Sequence, residues 1–242
     1  MAAANGWKNP RSIIRPTVSA DLLYWRRFGA AGATDAESIQ ACRRNQAPDT
    51  GELAAVFGTP EVAADYLRFT NGSSGIRTTK PSLATYTLYA VARTVDPNYL
   101  NTSVDRGFVA GWAGTPPTRG NALLLYDGDD SRGFGYTDVG GTAVPSVAAD
   151  PTDWLVYCLR STGTDLVINN LTSGASGTVA YSAPNTSTEG FSIGDGWGNY
   201  QSVEVDVHLT ALYDAVHDID DMAAVLADIR LGLASTSITE GS

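Results

Sequence analysis

The stretch Ser192–Leu233, SIGDGWGNYQSVEVDVHLTALYDAVHDIDDMAAVLADIRLGL, decides the fold because two hydrophobic periodicities follow each other in it. In its first half, apolar residues occupy every second position, and a period of two predicts a strand with one buried face and one face in water. The face predicted to be buried carries Val203, Val205, Val207 and Leu209. The face predicted to contact water carries Glu204, Asp206 and His208.

The second half of the stretch predicts a short helix. Asp218 can cap its N-terminus, and Asp220 and Asp221 fall in the first turn, where the helix dipole favours acidic residues. The apolar residues then recur at helical spacing. This stripe consists of Met222, Val225, Leu226, Ile229 and Leu233. We therefore expect one helix to lie on a body that is otherwise made of strands.

The rest of the chain predicts an all-β body. About a dozen short alternating segments are separated by turns, for which the 25 glycines and 11 prolines of the 242 residues provide. Many short strands with one late helix predict a two-sheet antiparallel jelly-roll sandwich with one short C-terminal helix. The predicted organisation is an N-terminal basic arm over 1–20, a sandwich over 21–235 and a C-terminal tail over 236–242.

Several segments resemble parts of the laminin-G-like domains of the concanavalin A-like lectin/glucanase class. Besides the closing stretch, they are LLYWRRFGAAGATD (Leu22–Asp35), VFGTPEVAADYLRFTNGSSGIRT (Val56–Thr78), TYTLYAVART (Thr85–Thr94) and DWLVYCLRSTGTDLVINN (Asp153–Asn170). The resemblance covers about residues 20 to 235 and implies the concanavalin A-like sandwich. Because one scaffold hosts many activities, it implies far less about function.

The opening LLYWRRF and the ending Leu212–Ala215 resemble the compact form of this domain found in tailed-bacteriophage virion proteins. The resemblance implies a non-enzymatic protein of the virion surface, as a head decoration, head fibre or tail-fibre module. Its implied partners are other capsid or tail proteins and further copies of itself, with host-surface glycan as a weaker ligand. A stand-alone carbohydrate-binding module is the first alternative.

The net charge of −10 and the isoelectric point near 4.5 argue against nucleic acid as a partner, since its phosphates would repel the chain. Residues 1–12 lack the apolar region of a secretory signal peptide, and no apolar run is long enough to insert into a membrane. We therefore expect synthesis in a host cytoplasm and a final location in the virion.

The N-terminal arm reverses the sign of the chain's charge. It carries Lys8, Arg11 and Arg15 with Trp7 and has no acidic residue before Asp21. Cations with an aromatic anchor are typical of an interface, so these four residues are the candidates for attachment to an acidic partner. A loosely docked terminus that the sandwich does not need is the alternative interpretation.

Two tryptophans next to glycine-rich turns are candidates for sugar stacking. Trp112 lies in AGWAGTPPTRG and Trp197 in GDGWGNY. Trp197 is accompanied by planar and polar groups that suit sugar hydroxyls, namely Asp195, Asn199 and Tyr200. The alternative is that both tryptophans close the ends of the core, where large aromatic residues are common.

A β-glucanase-like glycosidase is the second alternative function. Glu204-Val205-Asp206-Val207-His208 resembles the E-x-D-x-E signature of laminarinase-type enzymes, with a histidine in place of the third acid. Retaining glycosidases need two carboxyl groups about 5 to 5.5 Å apart, whereas next-but-one residues of a strand are roughly 7 Å apart. A solvated strand face is therefore the favoured interpretation, and no catalytic residue is assigned.

No cofactor is predicted, although calcium has weak candidates. Asp127, Asp129 and Asp130 follow the strand-like ALLLY and offer the oxygen ligands that calcium prefers, but without the usual acidic spacing. His208 and His217 have no cysteine near them in sequence, which argues against zinc. A disulfide between Cys42 and Cys158 is disfavoured in a reducing compartment.

Overall fold

The described residues of this computed structural model include sixteen short strands and one helix. The structure describes residues 16–29, 46–47, 54–70, 74–95, 106–112, 120–126, 130–136, 142–181, 187–194 and 204–241. At 106, 126, 130–136 and 142–143 it describes the backbone alone. No helix in these ranges is long and apolar enough to cross a bilayer.

The strands form two sheets, and every ladder between described strands is antiparallel. The first sheet runs in the order β14 (Ser176–Ala180), β13 (Asp165–Asn170), β12 (Leu155–Ser161), β6 (Tyr86–Thr94), β16 (Val205–Tyr213), β4 (Leu67–Phe69) and β3 (Glu61–Val62), with β1 (Leu22–Arg27) also paired to β16. The second runs β10 (Thr142–Ala143), β9 (Asp130–Tyr136), β8 (Ala122–Tyr126), β7 (Arg106–Gly111), β15 (Ser192–Ile193), β5 (Gly75–Arg77) and β2 (Ala55–Phe57), with β11 (Ser146–Ala148) paired to β9. The predicted fold class is confirmed.

Two apolar layers hold the molecule together. The first fills the space between the sheets, and its large aromatic members include Tyr24, Phe69, Tyr86, Trp112, Tyr157 and Phe191. The second lies between the outer face of the first sheet and the helix α1 (Ile219–Leu233). Asp218 caps α1 by accepting hydrogen bonds from the backbone N–H groups of Asp220 and Asp221, as predicted. The predicted stripe faces the sheet, with Leu226 partly buried and the other four members buried.

The strand β16 departs from the predicted alternation. All nine of its residues are buried, so neither face contacts water. Its register with β6 shifts between Val207, which pairs with Ala92, and Leu209, which pairs with Val91. His208 is therefore the extra residue of a β-bulge. Val205 and Val207 face the space between the sheets, while Leu209 faces the helix.

Two predictions for β16 are wrong, namely that Leu209 shares a face with the valines and that the polar residues contact water. Val203 lies outside the described residues, and Leu209 does not share a face with Val205 and Val207. The face that was predicted to contact water is instead covered, because α1 and its neighbours pack on it. Glu204 alone among the three polar residues keeps partial exposure, whereas Asp206 and His208 are buried.

The folded body begins earlier than Asp21. Thr17 donates its hydroxyl to Asp228 Oδ1 of α1 at 3.0 Å, and Tyr213 donates its hydroxyl to the carbonyl of Val18 at 3.1 Å. Residues 16–20, predicted as part of a dispensable arm, therefore lie against α1 and β16. The attachment candidates Trp7, Lys8, Arg11 and Arg15 lie outside the described residues and remain predictions.

The segment after α1 also packs against the sandwich. Ser237 donates from both its backbone N–H and its hydroxyl to Asp65 Oδ2, at 3.0 and 2.7 Å. Glu240 accepts two hydrogen bonds from Arg230 and forms a short parallel bridge with Trp154. The predicted tail thus fastens α1 to the first sheet as far as residue 241.

Truncating the helix face that meets the sheet should destabilise the protein strongly. Ile229 is 1% exposed and Leu231 is 64% exposed, so they form a matched pair on one helix. We expect Ile229→Ala to lower the free energy of unfolding by about 2 to 5 kcal/mol and Leu231→Ala to change it by no more than about 0.5 kcal/mol. Urea denaturation followed by circular dichroism measures both. Equal effects would mean that α1 does not pack on the sheet through this face.

Candidate functional site

β15 ends next to Gly194, at one end of the sandwich. Gly194 has φ +69°, and a Cβ atom there would lie 2.1 Å from the ring of Phe69. Only glycine fits, because its backbone both adopts the left-handed region and touches an aromatic ring. Phe69 in turn pairs with Val205, which pairs on its other side with Thr94. We call this the Gly194 end of the sandwich.

The hairpin between β8 and β9 leaves the second sheet at the same end. Arg106 begins β7 opposite Tyr126, and Tyr126 pairs with Asp130 at the start of β9. Because β7 is antiparallel to β15, its first residue lies toward the end at which β15 stops. β8 is two strands from β15, or about 10 Å.

The described strand ends that flank two predicted groups of residues thus lie at one end of the molecule. The glycan candidates Asp195, Trp197, Asn199 and Tyr200 belong to the connection between Gly194 and Glu204. The calcium candidates Asp127 and Asp129 belong to the connection between β8 and β9. These six side chains, and that of Asp130, lie outside what the structure describes, so both assignments remain predictions. Among the described residues, no group of three or more His, Cys, Asp and Glu could hold a metal ion.

Trp112 lies in the core near the opposite end and is not available to a sugar. It is 0% exposed, and its ring packs between Tyr86 and Phe191 with centroid distances of 5.1 and 5.4 Å. Its indole N–H donates to the carbonyl of Lys80 at 3.1 Å. Trp112 closes the core, as the alternative interpretation expected, and its assignment as a glycan-binding candidate is wrong.

Asp206 is enclosed by arginines. Its side chain is 0% exposed. Its Oδ1 accepts a hydrogen bond from Arg68 Nε at 2.8 Å, and its Oδ2 accepts from Arg68 Nη2 at 3.2 Å and Arg93 Nε at 3.0 Å. The hydrogen bond to Asp206 raises the pKa of Arg68 above its usual value. This carboxylate joins β16 to its neighbours β4 and β6, because Arg68 and Arg93 are its cross-strand partners.

The rings of Trp154 and Tyr66 contact the two arginines that bind Asp206. The Arg93 guanidinium lies 4.9 Å from the Trp154 ring centroid and 5.8 Å from that of Tyr66, and the two rings are 5.4 Å apart. Arg68 lies 5.9 Å from the Tyr66 ring. Such cation–π contacts hold the guanidinium groups in place. The resulting Asp206 cluster consists of Tyr66, Arg68, Arg93, Trp154 and Asp206, and it spans β4, β6, β16 and the start of β12.

The Asp206 cluster removes the geometric basis of the glycosidase alternative. Glu204 and Asp206 were its proposed pair, but both oxygens of Asp206 are occupied and no solvent reaches them. His208, which stands where that signature has its third acid, is also buried and donates from Nδ1 to the carbonyl of Asp65. A buried, fully hydrogen-bonded carboxylate cannot attack a sugar carbon or protonate a leaving group.

His217 occupies a second buried polar site beside α1. Its Nδ1 lies 2.8 Å from the Tyr89 hydroxyl, its backbone N–H donates to Thr87 Oγ1 at 2.9 Å, and its carbonyl accepts from Arg160 at 2.9 Å. Burial lowers the pKa of His217 below 6.5, although Asp221 and Asp218 oppose the shift. These contacts fix the chain between β16 and α1, which gives His217 a structural role.

Cys158 packs as an apolar residue under the same helix. It is free and buried, and its sulfur lies 3.8 Å from that of Met222. Burial raises the pKa of its thiol to about 12, so it is not a reactive thiolate. Cys42 lies outside the described residues, so its pairing with Cys158 stays an open prediction.

Removing the charge of Asp206 should destabilise the sandwich. Asp206→Asn leaves two guanidinium groups facing a neutral amide, and breaking a buried ion pair costs about 3 to 5 kcal/mol of the free energy of unfolding. Glu61→Gln is the control, because Glu61 is 63% exposed and lies 3.8 Å from the same Arg68. It should change stability by about 0.5 kcal/mol or less. Chemical denaturation of both variants distinguishes the buried interaction from the exposed one.

His217 should make the protein less stable in acid. The folded state binds a proton at His217 less readily than the unfolded chain, because its pKa is lowered. Its contribution to stability is therefore complete above a pH of about 6.5 and is lost as the pH falls from there through the lowered pKa. An NMR titration should give a His217 midpoint below that value. A midpoint at or above it would show that the imidazole is not buried in its neutral form.

Comparison of the sequence with known protein families and with curated proteins finds no match. Solved structures match through their fold. The binding domain of Paraclostridial Mosquitocidal Protein 1 has a TM-score of 0.62 and 8% identity, covering 87% of this chain and 52% of that one. The binding domain of botulinum neurotoxin DC in complex with SialylT has a TM-score of 0.55 and 8% identity, covering 74% and 46%.

The ligand-binding domain of botulinum neurotoxin serotype D, solved with N-acetylneuraminic acid, has a TM-score of 0.56 and 5% identity, covering 87% and 51%. The chain thus spans about half the length of each of these toxin domains. At such low identity the likeness concerns the fold, which is a β-sandwich found in binding domains.

Proposed function

We propose that this chain is a non-enzymatic glycan-binding sandwich that is carried on the surface of a virion. The observation that carries the glycan-binding part is that the described chain stops at Gly194 and resumes at Glu204 at the same end of the sandwich, away from the closed aromatic core at Trp112. The connection between these two residues contains Trp197 with the polar residues Asp195, Asn199 and Tyr200. A rigid sheet that presents an aromatic loop suits recognition of a sugar ring.

Sandwiches of this shape in toxins support the same proposal. One of the similar domains was solved with SialylT and another with N-acetylneuraminic acid. Such a glycan offers a ring face for Trp197 and hydroxyl groups for Asn199 and Tyr200. We therefore propose a sialic-acid-type or similar surface glycan as the ligand class.

The non-enzymatic part rests on the Asp206 cluster. Among the described residues, Asp206 is the acid that came nearest to a catalytic motif, and it is occupied by two arginines. We propose that the chain binds its ligand without changing it. Calcium bound by Asp127, Asp129 and Asp130 near the same end remains a weaker proposal.

The virion part rests on the sequence resemblance to phage modules alone. In this proposal the residues before Pro16 attach the sandwich to a capsid or tail protein through Trp7, Lys8, Arg11 and Arg15, in several copies per particle. A mass-spectrometric inventory of purified particles tests it. Absence of the chain from all particles would leave a stand-alone carbohydrate-binding module as the better proposal.

Trp197→Ala should abolish most of the glycan binding. Truncating an aromatic residue at the centre of an interface costs about 2 kcal/mol or more, which corresponds to at least tenfold in affinity. The test measures binding to an immobilised glycan ending in N-acetylneuraminic acid and to its desialylated counterpart, with recovery of the intact glycan. Ile219→Ala, a truncation at a 73% exposed site on α1, is the control and should bind like the wild type. Unchanged binding by Trp197→Ala would contradict the proposed site.

A further inference from the structure

Arg26 and Thr210 form a polar pair on the inner face of the first sheet. They are directly opposite each other in the ladder between β1 and β16. The flanking pair Tyr24 and Leu212 belongs to the core between the sheets. The flanking pair Arg27 and Leu209 lies on the other face, where Arg27 donates to the Gly232 carbonyl of α1 at 2.9 Å. By alternation, Arg26 and Thr210 point between the sheets.

Both side chains have polar atoms that are buried and unmatched. Arg26 is 7% exposed and Thr210 is 0% exposed. Arg26 Nε and Thr210 Oγ1 have no hydrogen-bond partner in the part of the chain that the structure describes. An arginine cannot shed its charge by losing a proton, so a buried guanidinium without an anion is strongly destabilising. On the opposite face of the same sheet, Arg68 and Arg93 are matched by Asp206.

We propose that Arg26 and Thr210 are the binding site for a small carboxylate. A guanidinium and a hydroxyl on facing residues, with Cβ atoms about 5 Å apart, can each donate to one oxygen of a planar carboxylate. One permanent positive charge is balanced by one negative charge, which favours a carboxylate over a phosphate dianion. The ligand class is therefore a monocarboxylic acid or the carboxyl group of a larger molecule.

In this proposal the ligand approaches along the edge of β1 that does not pair with β16. On that edge, Gln46 accepts from the Arg27 backbone N–H at 3.1 Å and donates its own N–H to the Trp25 carbonyl at 2.8 Å. The Arg27 N–H and the Trp25 carbonyl on either side of Arg26 therefore have partners, whereas the Nε atom of Arg26 has none. Thr210 lies five residues along β16 from Val205, or about 15 Å from the Gly194 end. The site is thus separate from the proposed glycan site.

Thermal unfolding in acetate tests the proposal. A ligand that binds only the folded state raises the melting temperature as its concentration increases. The wild type should melt at a higher temperature in sodium acetate than in sodium chloride at equal pH and ionic strength, and the rise should level off with concentration. Arg26→Met keeps the length of the side chain and removes the charge, and Thr210→Val removes only the hydroxyl. The rise should be absent in the first and reduced in the second.

Arg230→Met is the control for general effects of the salt, because Arg230 is an exposed arginine with a 48% exposed side chain. It should keep the full response to acetate. In chloride, Arg26→Met should melt no lower than the wild type, since an unmatched buried charge has been replaced by an apolar chain. The proposal is overturned if the wild type does not respond to acetate, if phosphate gives an equal rise, or if Arg26→Met keeps the response. Because the readout is melting and not glycan binding, failure here leaves the proposed function untouched.

Discussion

Burial of β16 on both faces is the constraint on which the rest of the structure depends. Its nine residues pair with β6 along one edge and with β4 and β1 along the other. They also contribute to the core between the sheets and to the layer beneath α1. A strand in this position can serve both layers only if apolar residues point both ways. The bulge at His208 meets this requirement, because it moves Leu209, Ala211 and Tyr213 to the helix side and Leu212 to the inner side.

The polar residues of β16 then have to find partners inside the protein. Asp206 is matched by Arg68 and Arg93, and His208 is matched by the Asp65 carbonyl, to which the C-terminal segment is also tied through Ser237. These two interactions bind β4, β6 and the end of the chain to the central strand. Thr210 differs from them, since it is opposite Arg26, and neither Thr210 Oγ1 nor Arg26 Nε has a hydrogen-bond partner among the described residues. Two buried polar atoms without partners, one an arginine nitrogen and one a hydroxyl, on residues that are directly opposite each other are the basis for proposing a ligand there.

The two ends of the sandwich have different physical characters. Near Trp112, large rings fill the space between the sheets and the indole N–H is satisfied, so that end is part of the core. At the Gly194 end, the sheets meet through a glycine that lies against the Phe69 ring. Binding residues are commonly carried by loops that a rigid scaffold positions. In this protein the described residues of the sheets have structural roles, and the proposed ligand contacts belong to the connection after Gly194.

The sequence alone determined the fold class, the helix and its cap, because these depend on local periodicity and on hydrogen bonds between near neighbours. Val205 and Val207 were recognised as core, and Asp218 as the N-cap, from spacing alone. Short strands such as β3 and β10 have too few residues to show a period. The tertiary structure alone decided that Asp206 is enclosed and Trp112 is buried, and that Leu209 turns to the helix. Each of these depends on which distant segments pack against the strand, and alternation in sequence cannot distinguish water from a covering helix.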